Sequence, residues 1–247
     1  MWLVKPETAR RVRQRIGTVM EWAKAAGYRG GDNPVEGVDR GMSKQGGDSA
    51  VHYAALPFAD VPGFVTRLRK SEVGELTKLA FEFLILTAAR TGEVIGARWH
   101  EIEEDRECLW TIPVERMKAG RAHRVPLSER CLAIVRQAKA LGGNSPFVFT
   151  GRSGVKPLSS MVFLMALRRM GLAVTGHGFR SSFWDWASKA TNFPREVCEM
   201  ALAHTVEGKV EAAYRRGDLL QKRRELMQSW SVFIEPKAEE VQRIKTG

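Results

Sequence analysis

Residues 72–89 are the stretch that most limits the choice of fold. Val73, Leu76, Leu79, Ala80, Phe83, Leu86 and Thr87 recur at three- and four-residue spacing, with Phe83-Leu84-Ile85-Leu86 apolar in succession. A helix hydrophobic over so much of its circumference must be surrounded by other elements. The expectation is a helical domain built around one buried helix. The run falls well short of the roughly 20 apolar residues that a bilayer span takes. Met1-Trp2-Leu3-Val4-Lys5-Pro6 also lacks the apolar stretch of a signal peptide. Neither membrane insertion nor secretion is expected, which leaves the cytoplasm.

The other patterns supply the surroundings for that helix. A chain of 247 residues suggests one large domain with an appendage. The appendage is a basic amphipathic helix at 7–26, carrying Val12, Ile16, Val19, Met20 and Ala23 on one side and four arginines among the rest. Gly27, Gly30, Gly31 and Asn33-Pro34 end it, and a glycine-rich stretch to Asp48 reads as a linker. Residues 1–49 are thus set apart from a main domain at 50–235, with a terminal tail at 236–247 expected to be disordered. Within the main domain, 58–69 is a second helix, and Thr91 is the expected cap of a helix starting Gly92-Glu93-Val94. Short strands are predicted at 108–112 and 122–127, joined by Met117-Lys118-Ala119-Gly120-Arg121, with a third at Phe147-Val148-Phe149. Further helices are expected from Ser159 or Ser160 to Gly171, from Thr175 or Gly176 to about 189, and from Pro194 to about 203. A short helix carrying Tyr214 and a charged helix at 219–230 with a Trp230–Ile234 tail complete a mainly α chain with a small antiparallel sheet.

Charge narrows the partners. Thirty-nine Lys and Arg against 28 Asp and Glu leave a net charge of +11, which attracts polyanions and puts nucleic acid first. Cys108, Cys131 and Cys198 lie far apart with no CxxC pairing, so neither a zinc ribbon nor a disulfide framework is written here. The histidines show neither HxH nor HExxH spacing. Several polar residues nevertheless interrupt apolar patterning where propensity does not ask for them. These are Arg90, the His177-Gly-Phe-Arg180 group, His204 and Tyr214. Two guanidiniums can grip a phosphate with planar forks, two imidazoles can move protons or donate hydrogen bonds, and a phenol can act as nucleophile. Lys118 at the hairpin tip could reach into a DNA groove and protonate a leaving oxygen. Taken singly, each would be read as a surface or structural residue.

In combination, Ala89-Arg90-Thr91-Gly92-Glu93, Lys118, His177-Gly178-Phe179-Arg180, Leu202-Ala203-His204 and Ala213-Tyr214 resemble, in order and spacing, the motifs of the tyrosine recombinases, specifically the phage-type integrases of prophages and genomic islands. The resemblance covers about residues 55–234. It implies the catalytic-domain fold of that family and a site-specific recombinase that cuts and rejoins double-stranded DNA through a 3′-phosphotyrosyl bond to Tyr214. Arg90 and Arg180 would clamp the phosphate, with His177 as their partner in proton transfer. His204 would fill the position that the family gives to His or Trp, and Lys118 would be the general acid for the 5′-oxygen. Glu93 would orient a catalytic arginine or histidine. No cofactor and no metal are implied. The assembly implied is a homo-tetramer on synapsed DNA formed from free monomers.

Two competing readings share these residues: strand relaxation of the type IB topoisomerase kind, and a DNA-binding remnant that does not cut. The resemblance also makes residues 1–49 look like the end of a core-binding domain, so the chain is expected to start inside one. Leu219, Leu220, Leu226, Met227 and Trp230 form an apolar stripe that is expected to serve assembly by passing to a neighbouring subunit, with folding back in cis as the equal alternative. Trp184 and Trp186 read as packing residues.

Overall fold

The computed structural model describes residues 2–41, 54–117, 119–204 and 218–235. The chain divides into two compact units, Met1–His52 and Tyr53–Gly247. The expected short helix carrying Tyr214, the end of the linker and the tail at 236–247 lie outside the described residues.

In the first unit, α1 (Pro6–Ala25) has Pro6 in its first turn, Glu7 near its amino end and Lys24 in its last turn. Each suits the missing amide bonds and partial charges of a helix terminus. The chain then turns back across Gly17 and continues into α2 (Val38–Gly41). A Cβ on Gly17 would lie 3.2 Å from Val35 Cγ2, so a small residue permits the approach. Asn33, expected only to end a helix, is buried: its Nδ2 donates to Gly17 O at 3.1 Å and to Glu21 Oε1 at 2.8 Å, and its Oδ1 accepts from Val35 N at 3.2 Å.

The second unit is built around α4 (Glu75–Thr87), in which every residue from Leu79 to Thr87 is buried. α3 (Val61–Lys70) lays Val61, Phe64, Val65 and Leu68 against this core, a helical spacing of three and four. Phe64, Phe81, Phe163 and Phe179 meet there with ring centroids 4.8–5.4 Å apart. One buried residue of α4 is charged. Glu82 accepts from Arg69 Nε at 3.0 Å and from Arg130 Nε and Nη2 at 2.6 and 3.0 Å. Burial alone would raise its carboxyl pKa, but the bonds from Arg130 and Arg69 outweigh that and hold it below the usual range.

After α4 come α5 (Thr91–Ile95) and an antiparallel sheet of β1 (Ile102–Glu103), β2 (Leu109–Ile112) and β3 (His123–Pro126) in that order. Trp110 faces Ile102 on one side and Val125 on the other. The third strand is therefore 102–103, not the expected 147–149. Phe147 instead makes a lone bridge with Arg98, and Val148 N donates to Ala97 O at 2.9 Å. That apolar run is drawn to the chain leaving α5, where Val148 and Phe149 are fully buried. The sequence reading assigned nothing to α6 (Glu129–Leu141), which packs along α4 with the Ser128 hydroxyl accepting from Cys131 N at 3.3 Å.

α7 (Val162–Arg169), α8 (Gly178–Ala190) and α9 (Arg195–Ala201) stand within a few residues of the expected helices. Ser159 and Thr175 cap from outside the helices: their hydroxyls accept from Met161 N and Gly178 N at 3.3 and 3.0 Å. α10 (Leu220–Ile234) is longer than expected, and its stripe folds back in cis, the second of the two readings. Its Leu226, Met227, Trp230 and Ile234 are buried in the core of their own unit. Trp230 Nε1 donates to Ile85 O at 2.8 Å, and its ring lies 4.9 Å from Trp186 and 5.6 Å from Phe183. The stripe has more apolar surface to meet on α4 and α8 than a solvent-facing tail could leave bare. Trp230→Ala should accordingly lower unfolding free energy by about 3–5 kcal/mol, the usual range for emptying a buried aromatic site, as read by urea denaturation.

Candidate active site

α4 stops at Ala88, whose left-handed backbone (φ 49°) turns the chain sharply before Arg90. Arg90 precedes α5 in an extended conformation, and Glu93 reaches back to it. Glu93 Oε2 accepts from Arg90 N at 2.7 Å while Oε1 accepts from Arg90 Nη1 at 2.7 Å. One buried carboxylate thus caps the helix and aims the guanidinium. The cap expected of Thr91 is supplied by Glu93, because a glutamate at the third helical position can satisfy the amide before the helix, and Thr91 is itself the first helical residue.

Arg180 enters from the first turn of α8 and is 5% exposed. It donates from Nη1 to Ala88 O, from Nη2 to Leu202 O at 2.7 Å, and its Nη2 lies 3.4 Å from His204 Nε2. Burial pushes its pKa down to about 10, with Arg90 pushing the same way and Glu93 opposing. It stays charged at neutral pH. His177 sits immediately before α8, three residues from Arg180 and on the same side of the helix. Burial lowers its pKa, and Arg180, Arg90 and His204 lower it further against the pull of Glu93. Arg90, His177, Arg180 and His204, drawn from three distant segments, therefore form one cluster of two guanidiniums and two imidazoles, with Glu93 bonded to Arg90.

Lys118 and Tyr214 lie outside the described residues. Of the arginines around Lys118, two have other work. Arg116 bonds Glu101 and the Glu93 carbonyl, and Arg124 makes a two-pronged pair with Asp218 at 2.9 Å for each bond. Arg121 is exposed.

Two nearby residues were missed by sequence reasoning. Glu199 lies 2.6 Å from His204 Nδ1. His123 on β3 bonds the Ala201 carbonyl within reach of Arg180, Arg223 and Glu93, and burial, followed by Arg223, brings its pKa down to about 4. The available signal for His123 was its place at the inward-facing start of a strand, which alone does not distinguish a site from a core. Neither cysteine with a resolved shift is poised as a nucleophile: burial pushes Cys131 up to about 12 and raises Cys198 as well. Among the described residues, no group of three or more His, Cys, Asp or Glu side chains is placed to hold a metal ion.

Known proteins resemble this chain in sequence and in fold. Residues 55–218 match the model of the phage integrase family and residues 1–38 that of the phage integrase central domain. The chain belongs to the phage integrase family, the tyrosine recombinases. Among its relatives, prophage integrase IntA of Escherichia coli K12 is 36% identical over 234 residues, covering 92% of this chain and 54% of the relative. The integrase of Enterobacteria phage P4 is 30% identical over 249 residues, covering 94% and 56%. The chain spans about half the length of these relatives. Its fold resembles a lambda integrase (75-356) dimer bound to a COC' core site, at TM-score 0.60 and 20% identity over 82% of this chain and 73% of that one. It also resembles a lambda integrase tetramer bound to a Holliday junction, at TM-score 0.58 and 20% identity over 82% and 60%. No helix among the described residues is long and apolar enough to cross a membrane.

His123 gives a pH test of this geometry. Its folded pKa near 4 lies below that of an unfolded imidazole, so the unfolded chain binds the proton first. Stability is present above the unfolded value and is lost as pH falls from about 6.5 towards 4. His123→Gln should flatten that part of the stability curve in urea titrations at stepped pH, and the His123 ring resonances should titrate near pH 4.

Proposed function

We propose that the chain is a site-specific DNA strand transferase that cuts and rejoins duplex DNA through a covalent 3′-phosphotyrosyl bond to Tyr214. The observation that carries this reading is the convergence of Arg90, His177, Arg180 and His204 in one cluster, in a chain of the phage integrase family. Two arginine forks neutralise the scissile phosphate, and His177 and His204 supply hydrogen bonds and a proton acceptor beside them. The phenol oxygen of Tyr214 attacks phosphorus and loses its proton; the 5′-oxygen leaves with a proton from Lys118. The ester keeps the bond energy, so the reverse attack by a 5′-hydroxyl needs no nucleotide. Lys118 and Tyr214 are assigned by motif order. The substrate is double-stranded DNA, and strand exchange takes place within four subunits on two synapsed duplexes.

Nicked suicide duplexes, on which the cleaved 5′ fragment diffuses away, test the chemistry directly. Wild type should accumulate a protease-sensitive protein–DNA adduct, in EDTA as in magnesium. Tyr214→Phe should bind the same DNA and form none, and Arg180→Ala should slow adduct formation by orders of magnitude. An adduct with the phenylalanine variant would remove Tyr214 from the role. Relaxed plasmid without exchanged partners would favour the topoisomerase reading, and binding without adduct the DNA-binding one.

DNA binding should also take up a proton. Burial holds the His177 pKa down and the cations around it add to this; an arriving phosphate reverses their field, so the bound-state value lies above the free one. Affinity should rise as pH falls below neutrality, and His177→Gln should level the dependence. Fluorescence anisotropy on duplex at fixed salt measures this. A further titration in salt should give a log–log slope of about 0.9 per phosphate contact.

A further inference from the structure

Glu199 occupies a place that helix energetics disfavours. It stands in the last turn of α9, where a negative charge meets the negative end of the helix and Lys, Arg or His would suit better. The chain bends there. Leu202 N bonds Cys198 O at 3.2 Å, Ala203 takes a left-handed backbone (φ 50°), and His204 N donates to Glu199 O at 3.0 Å. The turn brings two side chains five residues apart into contact, with Glu199 Oε2 2.6 Å from His204 Nδ1. Arg195 Nη2, one turn earlier, lies 3.5 Å from the other carboxylate oxygen.

The chemistry of the two partners fixes the imidazole. An ionised carboxylate only accepts, so Nδ1 must carry a proton. Nε2, across the ring, lies 3.4 Å from Arg180 Nη2, which only donates. The neutral ring therefore presents its lone pair beside Arg180, the tautomer opposite to the one a free imidazole favours.

We propose that Glu199 is a positioning residue that sets the plane and tautomer of His204, so that Nε2 meets whatever anion Arg180 holds. This rests on the reading of His204 as a residue of the DNA-cleaving site. Glu199 touches neither DNA nor the reacting atoms; it acts through the ring. A phosphate oxygen between Arg180 and Nε2 can accept from that nitrogen once Nε2 is protonated, and a proton acquired there leaves the Nδ1 bond to Glu199 in place with a counter-charge beside it.

Two measurements test the pair, one of which needs no DNA. Nitrogen-15 correlation spectra of histidine-labelled protein, with His204→Gln assigning the ring signals, should show His204 protonated at Nδ1 in wild type and shifted towards Nε2–H in Glu199→Ala. On suicide duplex at saturating DNA, adduct formation should fall about 10–100-fold in Glu199→Ala and less in Glu199→Gln, which keeps an acceptor without the charge, while DNA affinity changes less than about threefold. An unchanged tautomer in Glu199→Ala overturns the proposal. So does a wild-type cleavage rate in both variants, and should the alanine variant fail to fold, a wild-type rate in Glu199→Gln does so alone. If wild type itself forms no adduct, the cleavage reading fails, and the tautomer of His204 still decides whether Glu199 sets the ring.

Discussion

The guanidinium of Arg180 lies beneath the surface between two carbonyls, Ala88 O where the central helix ends and Leu202 O just after α9. Each carbonyl belongs to a sharp turn: Ala88 is itself left-handed, and Leu202 precedes left-handed Ala203. Neither group can complete the bonds of a regular helix at such a turn, and the buried cation satisfies both. The position of Arg90 relative to His204 follows from this bond pair, because the two residues stand two positions beyond the carbonyls that Arg180 grips. A lysine offers one compact ammonium where a rigid fork is required.

Holding cations together in the absence of an anion costs stability, and the fold meets that cost with very few carboxylates. Glu93 serves Arg90 through both its backbone and its side chain, and its carbonyl is tied by Arg116, whose other contact is the buried Glu101. Glu199 serves His204. Two arginines held by such bonds would meet a phosphate with little reorganisation, as the proposed reaction requires. The trio of Arg69 and Arg130 around the buried Glu82 is different in kind. It links α3, α4 and α6 and has no share in the site.

Helix existence was largely legible in the sequence, because α3 and α4 carry apolar residues at spacings of three and four and because Gly171 and Pro194 punctuate their neighbours. Strand identity was less so. Phe147-Val148-Phe149 looks like a sheet strand and is an apolar segment beside Ala97, whereas Ile102–Glu103 is too short to show periodicity and becomes a strand by pairing with Trp110. α6 was overlooked although Ser128 is a proper cap, its apolar residues lying close behind a strand. The apolar face of α10 was visible, but a stripe of leucines and a tryptophan looks the same whether it packs in cis or in trans.

What the sequence determined by itself was the class of chain: its basic charge, its central apolar helix, and the order of Arg90, His177, Arg180 and His204 that marks the family. These are properties of composition, periodicity and spacing, and they survive without coordinates. What only the tertiary structure decided was which residues touch. Glu93 capping Arg90, Glu199 holding His204, His123 against Ala201 and Trp230 against Ile85 each depend on a turn angle or on packing between segments far apart in the chain. A carboxylate five residues from a histidine is a neighbour only because Ala203 takes a left-handed turn, and no one-dimensional pattern encodes that bend.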